Sequence, residues 1–115
     1  MIDNGRMILE IRTYRLKPGT REEFLRVMRT QAAPLMARFG ITMVGTGGSL
    51  VDEHADSAIL VRAYESLAVR DERENAFYGS DEWRSGPREA IVSRIEQYHT
   101  VVLETSEDAV RALRW

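Results

Sequence analysis

The chain has no cysteine, so neither a disulfide framework nor thiol chemistry is open to it. Lysine is nearly missing too: Lys17 stands alone beside 15 arginines. No sign of charge dominates, since 16 basic residues face 18 acidic ones and the net charge is −2. The arginines are scattered among the acids, without a basic patch of the kind that tracks phosphates, and nucleic-acid binding is rejected as a main function. No apolar run reaches the roughly 18 residues of a membrane span. The opening "MIDNGRM" lacks the apolar stretch of a secretory signal. A cytoplasmic protein with no membrane partner is expected. Internal repeats, low-complexity tracts and linkers are missing as well, as are G-x-S-x-G, H-E-x-x-H and P-loop signatures.

What is present is an ordinary globular composition, 43% hydrophobic and 30% charged over 115 residues, which fits one domain spanning 1–115. "RMILEIRTYRL" alternates and predicts a strand from about Met7 to Leu16. "KPGT" turns the chain, and Thr20 with Glu23 has the spacing of a capping box. A helix is expected next, with Phe24, Leu25, Met28, Ala32, Leu35, Met36 and Phe39 on one face, a kink at Pro34 and a stop at Gly40. Residues 41–51 and 58–65 predict a hairpin of two strands, with a bulge or close approach at the glycines 45, 47 and 48. Ser66 opens a charged segment whose thin apolar side is Leu67, Val69 or Arg70, and Phe77. Ser80 is a second helix N-cap, "GPREAIVSRIEQ" (86–97) a third helical piece, and "YHTVVLE" (98–104) the last strand. The tail, 105–115, predicts a short helix whose Val110, Leu113 and Trp115 need covering.

Strand, helix, two strands, helices and strand give an α+β fold: ferredoxin-like βαββαβ, a four-stranded antiparallel sheet with helices on one face. The first and third strands are then central neighbours. Leu9 and Ile11 share a face with Ile59, Val61 and Ala63, and this face is expected under the helices. The opposite face gathers Ile8, Glu10, Arg12, Tyr14, Leu16, Leu60, Arg62 and Tyr64. So much apolar area seldom stays bare on a monomer, and two such sheets packed face to face across a dimer would enclose a partly polar cavity.

"MILEIRTYRLKPGTREEFL", "PLMARFGITMVG", "LVRAYESLAVRDE" and "AFYGSDEW" resemble the NIPSNAP family of the dimeric α+β barrel superfamily. The similarity covers about 7–104, and Glu10 to Tyr14 is its most telling piece. The resemblance implies a homodimer whose two sheets form a barrel, with no settled activity. Superfamily relatives include cofactor-free monooxygenases, isomerases of small cyclic substrates and haem enzymes, so function rests on the site.

Arg12, Arg62 and Tyr64 are the candidate substrate-binding residues, because guanidinium forks clamp a carboxylate, enolate or phenolate and a tyrosine hydroxyl orients it. Glu10, Tyr14 and His99 are the candidate catalytic residues, with Glu10 placed to act as a base or to pair with an arginine. The competing reading is a Glu–Arg–Tyr network that pins the dimer and binds nothing. His99 alternates in phase with Val101 and Leu103, which puts it on an apolar face as a core residue unless it faces the cavity. Tyr78 and Trp83 read as packing residues. Asp52, Glu53, His54 and Asp56 read as a solvated turn and not as metal ligands, because no second group at a recognised spacing joins them. No metal, haem or other cofactor is expected. The expected function is a small-molecule-binding dimer acting on an oxygen-bearing organic compound. Its rival is a non-catalytic assembly module.

Overall fold

The computed structural model describes residues 5–51 and 56–115, so Asp52, Glu53 and His54 of the acidic turn lie outside the described residues. Alternating side chains carry Arg6–Leu16 into strand β1. The turn after it places Gly19 at φ +79°, a left-handed conformation that glycine adopts without steric cost. Helix α1 (Arg21–Val27) runs through one π-helical turn, Met28–Ala32, into α2 (Ala33–Arg38). The irregularity expected at Pro34 takes this form. Proline lacks the N–H that would close the ladder, and the wider turn just before it absorbs the mismatch. Gly40, at φ +76°, ends the helix as expected.

The capping box does not form. The Thr20 side chain makes no cap bond and its hydroxyl donates instead to the Lys17 carbonyl at 2.6 Å. The free N–H groups of Gly19 and Arg21 donate to Asp56 at 3.1 and 3.4 Å. A carboxylate from a distant loop suits the positive helix terminus better than a local hydroxyl, and Glu23 is drawn away into a pair with Arg26.

Strands β2 (Thr42–Gly48) and β3 (Ser57–Tyr64) form the hairpin, with the anticipated register shift between Met43 and Gly45. Helix α3 (Leu67–Tyr78) begins at Ser66, whose hydroxyl accepts from Val69 N–H at 3.1 Å. Helix α4 (Asp81–Ser85) begins likewise at Ser80. Helix α5 is short, Arg88–Val92, and β4 runs from Ile95 to Ser106, starting earlier than 98. Pairing with β1, which reaches Ile95 opposite Leu16, overrides the helical pattern of 93–97. Helix α6 (Glu107–Leu113) closes the described chain, capped by Ser106. The sheet order β2-β3-β1-β4, antiparallel throughout, is that of the ferredoxin-like fold. Among the described residues no helix is long and apolar enough to cross a membrane.

The two sheet faces are the reverse of the expectation. Helices α1 to α5 cover the face with Tyr14, Leu16, Leu60 and Tyr64, which join Phe24, Val27, Met28, Leu35, Met36, Phe77, Trp83 and Ile91 in the main core. Leu9, Val61 and Ala63 belong to a smaller cluster on the other face, with Val44 and with Val110 of α6. Beyond that cluster Val101 and Leu103 stay 44% and 38% exposed. The Glu-Arg-Tyr row is therefore not a dimer face. It is buriable because its charges neutralise one another in register, Glu10 opposite Arg62, while its larger apolar members carry more area to bury than their counterparts on the other face.

Trp115 packs on β2. Its backbone N–H donates to the Val44 carbonyl at 3.2 Å and its indole N–H to the Thr46 carbonyl at 3.2 Å. The ring lies so close over Gly45 that a β-carbon there would overlap it. Gly45→Ala should therefore dislodge the indole, raising quenching of its fluorescence by iodide, at a stability cost of about 1 kcal/mol or less because the ring is already largely exposed. Unchanged quenching would refute the contact.

Candidate functional site

Register builds the site's floor. Glu10 and Arg62 are direct partners across β1 and β3, and both are fully buried. One carboxylate oxygen of Glu10 takes the Arg62 fork, Nε at 2.7 Å and Nη2 at 2.5 Å. The other takes the Arg70 fork from α3, Nε at 2.8 Å and Nη2 at 2.7 Å. One turn further along α3, Glu74 accepts the Tyr64 hydroxyl at 2.7 Å and lies 3.3 Å from Arg62 and 3.5 Å from Arg70. Another turn on, the Tyr78 hydroxyl accepts from Arg62 at 2.9 Å and from Arg12 at 3.3 Å. Arg12 also donates to Thr100 of β4 at 3.1 Å and stacks over Tyr98, 5.0 Å from its ring centroid. Its Nη2 is 3.9 Å from both Glu10 and Glu74, a contact through charge and not a made hydrogen bond.

Above this network, between sheet and helices, opens a cavity of about 730 Å³. Arg12, Tyr14, Glu74, Tyr78, Arg88, Glu96 and Tyr98 supply much of its polar wall, and Met28, Met36, Leu60, Trp83, Ile91 and Ile95 much of its apolar wall. Tyr14 is wedged against Phe24 at 5.1 Å between ring centroids, and Trp83 packs edge-on to Tyr78 at 5.3 Å. The polar wall is thereby held by rings that have little room to turn.

Electrostatics separate the two carboxyls. Burial pushes the Glu10 carboxyl up, but hydrogen bonding with Glu74 and the Arg62 and Arg12 charges outweigh it and hold it at about 2. Glu74 goes the other way: burial pushes it up and the neighbouring Glu10 adds to this, against the pull of Arg62 and Tyr64. Burial, with Tyr78 nearby, also raises the Tyr14 phenol, so at neutral pH it is an uncharged hydroxyl. Because its folded value lies below the ordinary 4.5, Glu10 contributes stability above that pH and loses it as pH falls towards about 2. Acid should remove on the order of 3 kcal/mol through this one group. Urea midpoints of Glu10→Gln taken across the same window should fall less steeply than those of the wild type; parallel slopes would refute the assignment.

Of the residues singled out in the sequence, Arg12 and Tyr14 line the cavity. Glu10, Arg62 and Tyr64 join the same network but lie behind the cavity wall, fully or nearly fully buried. His99 is brought to neither place. It pairs with Thr13 on the opposite sheet face and is exposed, because β4 is an edge strand and no helix covers that end of the face, so it is not the core residue its alternation predicted. Tyr78 and Trp83 are cavity walls as well as packing residues. Sequence reasoning missed Arg70 and Glu74. Their signal was there: Arg70, Glu74 and Tyr78 recur every four residues, one polar stripe on a helix whose apolar side was thin.

The NIPSNAP family model matches residues 9–107. A crystal structure of a NIPSNAP protein of unknown function from Agrobacterium tumefaciens is 26% identical, superposes with a TM-score of 0.78, and is matched over 87% of this chain and 88% of its own. A second from the same organism, 21% identical, gives 0.80 over 96% of each chain. A Nitrosomonas europaea protein, provisionally named an antibiotic biosynthesis monooxygenase, gives 0.63 at 12% identity over 91% of this chain and 95% of its own, a likeness of fold alone. No curated protein matches in sequence. With nearly its whole length under the family model, and with the fold of the solved members, the chain belongs to the NIPSNAP family.

Proposed function

We propose that this protein binds a small, oxygen-bearing organic molecule with an acidic or anionic group, and that it turns the molecule over without a bound cofactor, as a monooxygenase or isomerase. The cavity of about 730 Å³ beside Arg12 carries this reading. Its volume falls in the range of small-molecule sites, which mix an apolar lining with a few fixed polar groups. Three guanidiniums, Arg12, Arg62 and Arg70, surround two carboxylates, Glu10 and Glu74, so the network holds one positive charge in excess. An anion settling against Arg12 would neutralise it in a place partly shielded from water, where the attraction is stronger than at the surface. The chemistry part of the reading is supported by the fold shared with proteins named as monooxygenases.

Calorimetry with a panel of aromatic carboxylates and phenols tests the binding. Val92, exposed at the cavity rim, can be enlarged without disturbing the core. Val92→Trp should weaken every hit at least about tenfold, a loss of about 1.4 kcal/mol. A panel without hits, or hits indifferent to Val92→Trp, would overturn the reading.

A second copy of this chain is the proposed partner, through the uncovered face that bears Ile11, Ile59, Val101 and Leu103. Apolar side chains left open on a sheet favour such pairing. Light scattering at micromolar concentration should give twice the 13.2 kDa chain mass. A 13.2 kDa species would sink the proposal.

A further inference from the structure

Two carboxyls line the cavity, Glu74 and Glu96; Glu96 is half-exposed and faces Arg15 at 3.9 Å, so the one set into the network beside Arg12 is Glu74. Both oxygens of Glu10 are taken by arginine forks, and no part of Glu10 reaches the cavity wall. Glu74 does line the wall. Its Oε2 is occupied by the Tyr64 hydroxyl and faces Arg62 and Arg70, whereas its Oε1 faces Arg12 across 3.9 Å. The charged and titratable groups around it are Glu10 and Arg12 from β1, Arg62 and Tyr64 from β3, and Arg70 and Tyr78 from α3.

Building on the binding reading above, we propose that Glu74 is the proton acceptor of the cavity, taking the proton that a weakly acidic ligand sheds as its conjugate base settles against Arg12. The ligand class is a phenol, an enol or a carbon acid beside a carbonyl. The O–H or C–H bond of the ligand breaks, its electron pair stays on the ligand, and the proton passes to the Glu74 carboxylate. Nothing is oxidised or reduced. The total charge of the site does not change, so the transfer moves a negative charge from Glu74 to the ligand within reach of the same guanidiniums. The proton has a seat once transferred, because Arg62 and Arg70 lie against both carboxyls and their closer forks hold Glu10 ionised while Glu74 takes the proton. Burial and that second carboxylate make Glu74 the more basic of the two, as a proton acceptor working near neutral pH has to be.

The probe is 4-hydroxyacetophenone, whose phenolate absorbs at longer wavelength than its phenol. It is titrated into the intact protein at about one pH unit below its own ionisation midpoint, where the free probe is mostly neutral. Absorbance reports the ionisation of the bound probe, and calorimetry in buffers of different ionisation heat counts the protons exchanged with solvent. The wild type should bind it as the phenolate with almost no proton released to buffer. Glu74→Gln keeps an oxygen for the Tyr64 hydroxyl. It should either bind the probe as the neutral phenol or release about one proton per phenolate bound. A wild-type complex that holds the neutral phenol, or that releases its proton to buffer, would overturn the role of Glu74. Both of those outcomes are read on the wild type alone, so a misfolded Glu74→Gln does not block them. Failure of this phenol and of aromatic carboxylates alike to bind would instead overturn the binding reading, and this inference with it.

Discussion

Arg62→Met should lower the melting temperature by at least about 10 °C. Arg62 is fully buried and holds Glu10 at 2.5 and 2.7 Å, the Tyr78 hydroxyl at 2.9 Å and Glu74 at 3.3 Å. Methionine fills much of the space but cancels no charge, so Glu10 is left buried with Arg70 as its only close cation, Arg12 standing off at 3.9 Å. Breaking a buried pair from one side costs about 3–5 kcal/mol. A domain of this size loses roughly 4 °C per kcal/mol, and the share kept by Arg70 places the expected loss at the lower end of that range. Removing both partners is a different experiment. In Glu10→Met with Arg62→Met no buried carboxylate is stranded at this position, and Arg70, partly exposed, can turn to water. The double variant should regain a good part of the loss, since replacing a whole buried pair by apolar groups is often nearly neutral. Scanning calorimetry of the two variants checks both statements. An Arg62→Met protein melting within about 3 °C of the wild type would show that the network is far weaker than its geometry.

Arg12→Ala should do nearly the opposite, sparing the fold and removing affinity. Arg12 is the one guanidinium of the Glu10 network that reaches the cavity, and at 3.9 Å from Glu10 and Glu74 it acts on them through charge alone, as the smallest of the influences on Glu10. Glu10 keeps both forks when Arg12 is gone. A charge-assisted hydrogen bond contributes about 1.5–3 kcal/mol, so binding of a carboxylate or phenolate should weaken about 10- to 100-fold. The melting temperature should stay within about 4 °C of the wild type. Calorimetric titration and a thermal melt on the same sample separate the outcomes. Wild-type affinity would return Arg12 to a merely structural place. A collapse in stability would mean that the network leans on Arg12 more than the distances indicate.

The sequence alone determined the element order, and hence the topology. Strand alternation in 7–16, the turn at Pro18 and Gly19, the serine cap at 80 and the stop at Gly40 are local events, each decided by a few neighbouring residues. From them the four-stranded antiparallel order follows almost without choice. Sequence also singled out Glu10, Arg12, Tyr14, Arg62 and Tyr64 as one row, because alternation and the central pairing of β1 with β3 require it. Tertiary structure decided which side of the sheet that row faces. Period-two alternation defines two faces but is symmetric between them, and here both were part apolar, so pattern gave no sign of which one the helices would take. The answer depended on Arg70, Glu74 and Tyr78, which α3 lays over the row to satisfy its charges, and on the volume of Tyr14, Leu16, Leu60 and Tyr64 beneath α1 and α2. The same long-range docking put Asp56, and not Glu23, at the start of α1, and left His99 on an uncovered edge. It also made Glu74 a cavity wall. Contacts of this kind join residues 35 to 60 positions apart, and no local pattern in the chain records them.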